Sequence, residues 1–500
     1  MKHRYLSVLL AAIAAAVQAQ TTQTPTPKLV VNIVIDQLRT DRLEQYAQQF
    51  GQDGFKKLLA NGVVYSNASY PFMPVDRASA MASVTTGTTP YYNGISGNRW
   101  LNKNTLRPMD CVDDKDFAGV YTQDKSSAQS LQTSTIGDEL KMSSAGAAIV
   151  YGVAAFRDAA ILSAGHAADG ALWIDDQSGE WCGSTYYFRT VPKWLSSYNV
   201  LYAPSKKVVS LKSSDKALSL QNKYKYFKTS QHGNTSVTDM ALQCVATSLM
   251  GMDATPDLLA VTYYAGEPQT QTKSQSSMLD IYKGLDKEVA RLVSTVESKV
   301  GRGNTLYVIS GTGYEETDND EYAKYRVPSG TFYINRTANL LNIFLSAIYG
   351  QARYVEGFYR NQIYLNHKLL EQKRISLTDI YSRCEEFLTQ CAGVREVFTA
   401  VRLASAGSVG AERVKNGYNT NTCGDILIEI APGWKVLDEN TNEHYHYRSG
   451  FADFPIIIFG AGTKPQRIST PVTADQIAPT IAKSIRIRAP NGCSAQALRQ

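Results

Sequence analysis

The run Leu29–Asp36, LVVNIVID, constrains this chain more than any other stretch. A near-continuous apolar run of that length, closed by one acid, reads as a strand covered on both faces, as strands of parallel sheets are. An acid at the C-terminal end of such a strand stands where open α/β sheets keep their ligands. The stretch Pro71–Gly87, PFMPVDRASAMASVTTG, reads as a loop running into a helix start. Later strands and loops are expected to return to this point.

The rest of the chain alternates helix and strand patterns. Thr40–Asn61 reads as a helix ending at Gly62, followed by a strand over Val63–Tyr70. Thr135–Ser144 reads as helix and Ala147–Ala155 as strand; Val237–Gly251 reads as helix and Leu258–Tyr264 as a buried strand. Gln275–Val300 is a long amphipathic helix, and Thr305–Ser310, Gly424–Ile430 and Pro455–Gly460 are further strands. This alternation predicts an α/β fold, a largely parallel central sheet with helices on both faces. Two stretches interrupt it: a cap at about 171–231, rich in Trp, Tyr, Ser and Lys, and a second insertion at about 330–400.

The first residues read as an export signal. Lys2, His3 and Arg4 precede the apolar run Leu6–Val17, and a small-residue cleavage site ends at Ala19. That run is too short to span a bilayer, and no later one is long enough. The expected product is periplasmic or secreted, with residues 20–28 a polar lead-in and 29–495 the folded domain. Net charge is +6 and no Lys/Arg cluster stands out, so nucleic-acid binding is not expected. Seven Cys leave at least one unpaired or paired between chains. Cys384 and Cys391, seven apart on a helix pattern, lie ~10 Å apart by helix rise, too far to bond each other. His444 and His446 alternate in EHYHY, and with Glu443 they could face one side of a strand, although an exposed loop is the plainer reading.

Several segments together resemble the alkaline phosphatase superfamily, in its bacterial secreted phosphate-monoesterase branch with a Thr nucleophile. They are VIDQLR, ASVTTGTTPYYNGISGNRW, ILSAGHAADGALWID, DLLAVTYYA, GDILIEIAPGW, PIIIFGAG and VTADQIAPTIAKSIRIRAPNGCS, and they run in order through residues 29–495. The resemblance implies hydrolysis of phosphate esters with two zinc ions, held by Asp and His ligands. Carried over position by position, Asp36 matches the first ligand. The nucleophile's position falls on Arg77, and a guanidinium cannot be a nucleophile. The Asp-x-x-x-His pair falls on Glu267 and Gln271, the Asp-His pair on Thr312 and Gly313, and the last His on Asp453. Asn98 matches the Asn that contacts the phosphoryl oxygen, or is a turn residue. The Lys-x-Arg clamp falls on Phe156 and Asp158, with Arg157 one residue out of register. His166, in AGHAAD, reads as structural.

Two expectations follow. In the first, the protein is a catalytically degenerate family member with no cofactor, acting by binding an envelope protein, peptide or glycan. Arg77 would then form a salt bridge with Asp36, and with Glu267 or Asp453, in place of the metals. In the second, it is an active metal-dependent phosphomonoesterase or phosphodiesterase with a rebuilt site, one metal being held by Asp36, Glu267 and Asp453. Such oxygen-only ligands suit Ca²⁺ or Mg²⁺ better than Zn²⁺.

Overall fold

A computed structural model describes residues 26–210, 223–267, 275–314, 325–405, 407–445 and 452–499. The strands used below are β1 (Leu29–Asp36), β2 (Val63–Ser69), β3 (Val150–Ala154) and β4 (Gly170–Ile174), then β5 (Trp181–Ser184), β6 (Asp257–Tyr264), β7 (Thr305–Gly311) and β8 (Phe454–Gly460). The helices are α1 (Thr40–Tyr46), α2 (Phe55–Asn61), α3 (Arg77–Thr86) and α4 (Ile136–Ser143), then α5 (Arg157–Ala164), α6 (Gln231–Thr247) and α7 (Gln275–Val300).

The eight strands lie side by side in the order β2, β8, β7, β1, β6, β3, β4, β5. The five from β7 to β4 are mutually parallel; β8 and β5 add on antiparallel at the two sides, and β2, antiparallel to β8, runs in the direction of the central five. β1 is central because both of its faces are apolar. Leu29, Val31, Ile33 and Ile35 pack with Met240 of α6 and Tyr282, Leu285 and Val289 of α7. Val30 and Val34 pack on the other face with Met81 of α3 and Ala160 and Ile161 of α5. A strand with period-two side chains feeds two cores only when neither face meets water, and every residue of β1 is buried. Register then aligns the strand ends: Asp36 lies opposite Tyr264 of β6, and Ile35 opposite Gly311 of β7. The C-terminal ends of these three strands form one rim, as the sequence predicts.

Three readings change. The helix expected over Thr40–Asn61 is two helices, because Asp286 of α7 holds the break between them. Its carboxylate accepts from the Gly51 amide (2.8 Å) and the Phe55 amide (2.7 Å), satisfying donors at the start of α2. The expected cap begins later than residue 171, since β4 and β5 belong to the central sheet. Beyond them come the helices Lys193–Tyr202, Pro204–Ser210 and Lys223–Lys228. The second insertion extends past residue 400. The strand Ile426–Ile430 pairs antiparallel with Val394–Thr399 rather than with the central sheet. Trp434–Asp438 pairs with Gly330–Tyr333, and together they enclose a separate apolar core that includes Phe332, Leu341, Ile363, Ile380 and Val436. All seven cysteines are free thiols. His444 is exposed on the strand Glu443–Tyr445, and His446 lies outside the described residues.

Candidate functional site

The rim at the end of β1 is built around Arg77. It is the first residue of α3, a helix of small residues (RASAMASVTT) buried along its length after Arg77. Asp76 caps that helix: its carboxylate accepts from the Ser79 amide (2.9 Å), and the Ser79 hydroxyl accepts from the Asp76 amide (3.0 Å). Ser79 is therefore a capping residue. Thr85 donates back to the Met81 carbonyl at 2.9 Å, as a packing residue would. The cap points the Arg77 side chain off the helix start toward the sheet.

There Arg77 meets two acids. Its Nε lies 3.0 and 3.1 Å from the two carboxylate oxygens of Asp158, and its Nη1 lies 3.4 Å from Oδ2 of Asp36. Asp158 sits in the first turn of α5, where the helix start favours negative charge. Asp36 is wholly buried, and its Oδ1 accepts from the Thr312 hydroxyl at 3.0 Å. That hydroxyl in turn accepts from the Gln37 amide at 2.8 Å. The Arg77 guanidinium carbon lies 3.9 Å from the centre of the Phe156 ring, close enough for cation–π attraction. The Lys228 ammonium is 5.6 Å from the same ring and 2.7 Å from Asp176. Burial works against the charge on Arg77, but Asp158 and Asp36, with Tyr314 nearby, hold its pKa well above the ordinary arginine value.

The expected bridge from Arg77 to Asp36 is present. Its tightest partner, however, is Asp158, and no ion pair joins Arg77 to Glu267 or Asp453 among the described residues. Glu267 is half-buried, and its carbonyl accepts from the Tyr264 hydroxyl at 2.9 Å. Asp453 is exposed, and its carbonyl accepts from the Thr40 amide at 2.8 Å. Gln271 lies outside the described residues. Gly313 takes a left-handed turn (φ 65°) beneath Phe454 and Tyr70. The Asn98 side-chain oxygen accepts from Arg360 at 2.9 Å, and the Asn98 backbone amide donates to the Asp76 carboxylate at 2.6 Å. Arg157 is not on a strand; it opens α5 and turns away to Asp110 (2.7 Å) and Asp113 (2.8 Å). His166 is structural, bonded to Asp138 and to the Leu131 carbonyl, each at 2.9 Å. The sequence reading missed Asp158 as the partner of Arg77. An acid in the first turn of a helix that starts just past a strand end is the signal that could have found it.

The type I phosphodiesterase / nucleotide pyrophosphatase family profile matches residues 30–452. This chain belongs to that family, within the alkaline phosphatase superfamily. It is 27% identical to the alkaline phosphatase PafA of Elizabethkingia meningoseptica, over 95% of this chain and 94% of that protein. The crystal structure of PafA superposes with a TM-score of 0.82 at 26% identity, covering 95% of this chain and 99% of that one. A Myroides odoratus protein named as a calcium-transporting ATPase is 28% identical over 93% of both chains. The alkaline phosphatase PhoV of Synechococcus elongatus is 25% identical over 93% of this chain and 91% of that protein.

This kinship corrects the expectation of no cofactor. Alkaline phosphatases match the chain nearly end to end, and metal-ion chemistry comes with the family. Among the described residues the side chains at this rim do not fit a two-zinc centre. Among the described residues no three His, Cys, Asp or Glu side chains converge where an ion could sit. Asp36 and Asp158 close on a guanidinium instead, and Asp36, Glu267 and Asp453 are not gathered as a ligand set.

Proposed function

We propose that this protein is an exported member of the alkaline phosphatase superfamily that acts by binding, to a protein, peptide or glycan of the cell envelope, rather than by hydrolysing phosphate esters. One observation carries the reading. At the position where the resemblance expects a Thr nucleophile stands Arg77, its guanidinium engaged by Asp36 and Asp158. A guanidinium has no lone pair to offer phosphorus and keeps its proton at any ordinary pH. The register of this assignment has independent support. A solved variant of PafA is altered at a Thr and an Asn 21 residues apart, and at a Lys and an Arg two apart. Arg77 and Asn98 have the first spacing, and Phe156 and Asp158 the second.

The test is turnover. Purified protein, supplied in turn with zinc, magnesium and calcium, is expected to release p-nitrophenol from p-nitrophenyl phosphate and bis-p-nitrophenyl phosphate no faster than buffer. Metal-dependent release above the blank, abolished by a chelator and by Asp36→Asn, would overturn the reading.

A further inference from the structure

The misfit between this chain's side chains and the family's metals leaves a physical question: what holds two carboxylates together at the rim of the sheet. Asp36 is at zero exposure, and the side chain of Asp158 is only 12% exposed. Both converge on one point from different elements, β1 and α5. Buried carboxylates brought together without a cation repel each other, and each bears an uncompensated desolvation penalty.

We propose that Arg77 is a tethered cation, whose single charge bridges Asp36 and Asp158, offsets much of their mutual repulsion and so pins β1, α3 and α5 to one another where a metal-using relative would place ions. The inference rests on reading Arg77 as the occupant of the nucleophile position, but not on the absence of turnover. Three features of the geometry carry it. The fork is used on both sides: Nε serves Asp158 and Nη1 serves Asp36, so one side chain spans two elements. The plane of the guanidinium is backed by Phe156, which sits just ahead of Asp158 and fixes the direction from which the fork approaches. The remaining oxygen of Asp36 is satisfied by Thr312, at the position where the resemblance expects a ligand, so that position now completes the hydrogen bonding of the same acid. Lysine would not do this as well, because a compact ammonium on a flexible stem cannot serve two carboxylates with fixed, separate donors.

The experiment compares melting temperatures of the full chain carrying Arg77→Met, Arg77→Lys or Asp158→Asn, each with and without millimolar Mg²⁺, Ca²⁺ or Zn²⁺. Methionine keeps much of the volume and removes the charge, so it separates electrostatics from packing. Arg77→Met is expected to lower Tm by about 5 °C or more, and Arg77→Lys by less. A divalent cation is expected to restore part of the Tm lost in Arg77→Met and to leave the wild type unchanged. Arg77→Met combined with Asp158→Asn should lose that cation response. If Arg77→Met does not fold, the single change Asp158→Asn carries the test, and its Tm should fall because a buried charge loses its main partner. Arg77→Met melting with the wild type, or a cation shift equal in both, would overturn the proposal, as would an Asp158→Asn protein as stable as its parent. Turnover measured on the same samples keeps the two readings apart. An active wild type that still depends on Arg77 for its Tm sinks the binding function alone, and an inactive one indifferent to Arg77→Met sinks the tethered cation alone.

Discussion

Gly313→His, which puts back the residue that the family resemblance expects, should destabilise the protein by about 2–5 kcal/mol and create no phosphatase activity. Two costs add. Gly313 has φ 65°, a left-handed conformation that charges a residue with a Cβ about 1–2 kcal/mol. A Cβ built there also lies 2.9 Å from Phe454 Cε1 and 3.2 Å from Tyr70 Cδ2. Neither ring can move aside cheaply. Both are completely buried, their centres are 5.5 Å apart, and the Tyr70 hydroxyl donates to the Gly311 carbonyl at 2.9 Å. Overpacking a closed site of this kind typically costs about 1–3 kcal/mol. Gly313→Ala should lose less, since it meets the same turn with a smaller intrusion. Urea unfolding of the three proteins measures the effect; a histidine variant as stable as the wild type would mean that Phe454 and Tyr70 leave more room than the packing indicates.

The same site shows how far sequence carries. β1 was legible because a strand apolar on both faces has few other places to go, and Asp36 at its end followed from the strand's direction. Arg77 was legible because the resemblance puts the nucleophile's position on it, in a stretch that reads as a loop running into a helix start. What could not be read were partners far along the chain. Nothing in Thr40–Asn61 announces that Asp286, more than two hundred residues later, will cap the break after Phe50. Asp158 read only as a missing phosphate clamp, because its meaning depends on Arg77 arriving from another helix. Ile426–Ile430 carries the same apolar pattern as a strand of the main sheet. Its antiparallel neighbour Val394–Thr399 assigns it elsewhere, and pattern alone does not choose between two sheets that each bury a strand.

Asp138→Ala, outside the rim, should cost about 3–5 kcal/mol. Asp138 lies in the first turn of α4, its side chain 7% exposed, and four donors converge on it. The Thr135 amide is at 2.8 Å, the His166 amide at 2.8 Å, the Ala167 amide at 2.7 Å, and the His166 Nδ1 at 2.9 Å. Alanine would leave these N–H groups buried or nearly so without an acceptor. It would also release the turn after α5 from the start of α4. The His166 ring has an acceptor on each side, Asp138 at Nδ1 and the Leu131 carbonyl at Nε2, so both nitrogens are placed to donate and the imidazolium is favoured. Its hydrogen bond to Asp138 raises the His166 pKa above 6.5 against the opposing effect of burial. For Asp138, burial pushes upward, but the bonds from His166 and the backbone amides prevail and hold its pKa below 3.8. The signs then fix the pH dependence. The raised His166 pKa contributes stability that is complete below 6.5 and is lost as pH rises through the folded value. The lowered Asp138 pKa contributes stability that is present above 3.8 and is lost as pH falls through its folded value. The pair should therefore contribute most between these two limits. The wild type should lose Tm relative to His166→Gln as pH climbs from 6 to 8. An imidazole titrating at or below 6.5 by NMR, or an Asp138→Ala protein within about 1 kcal/mol of its parent, would show that this junction holds less of the fold than its hydrogen bonds imply.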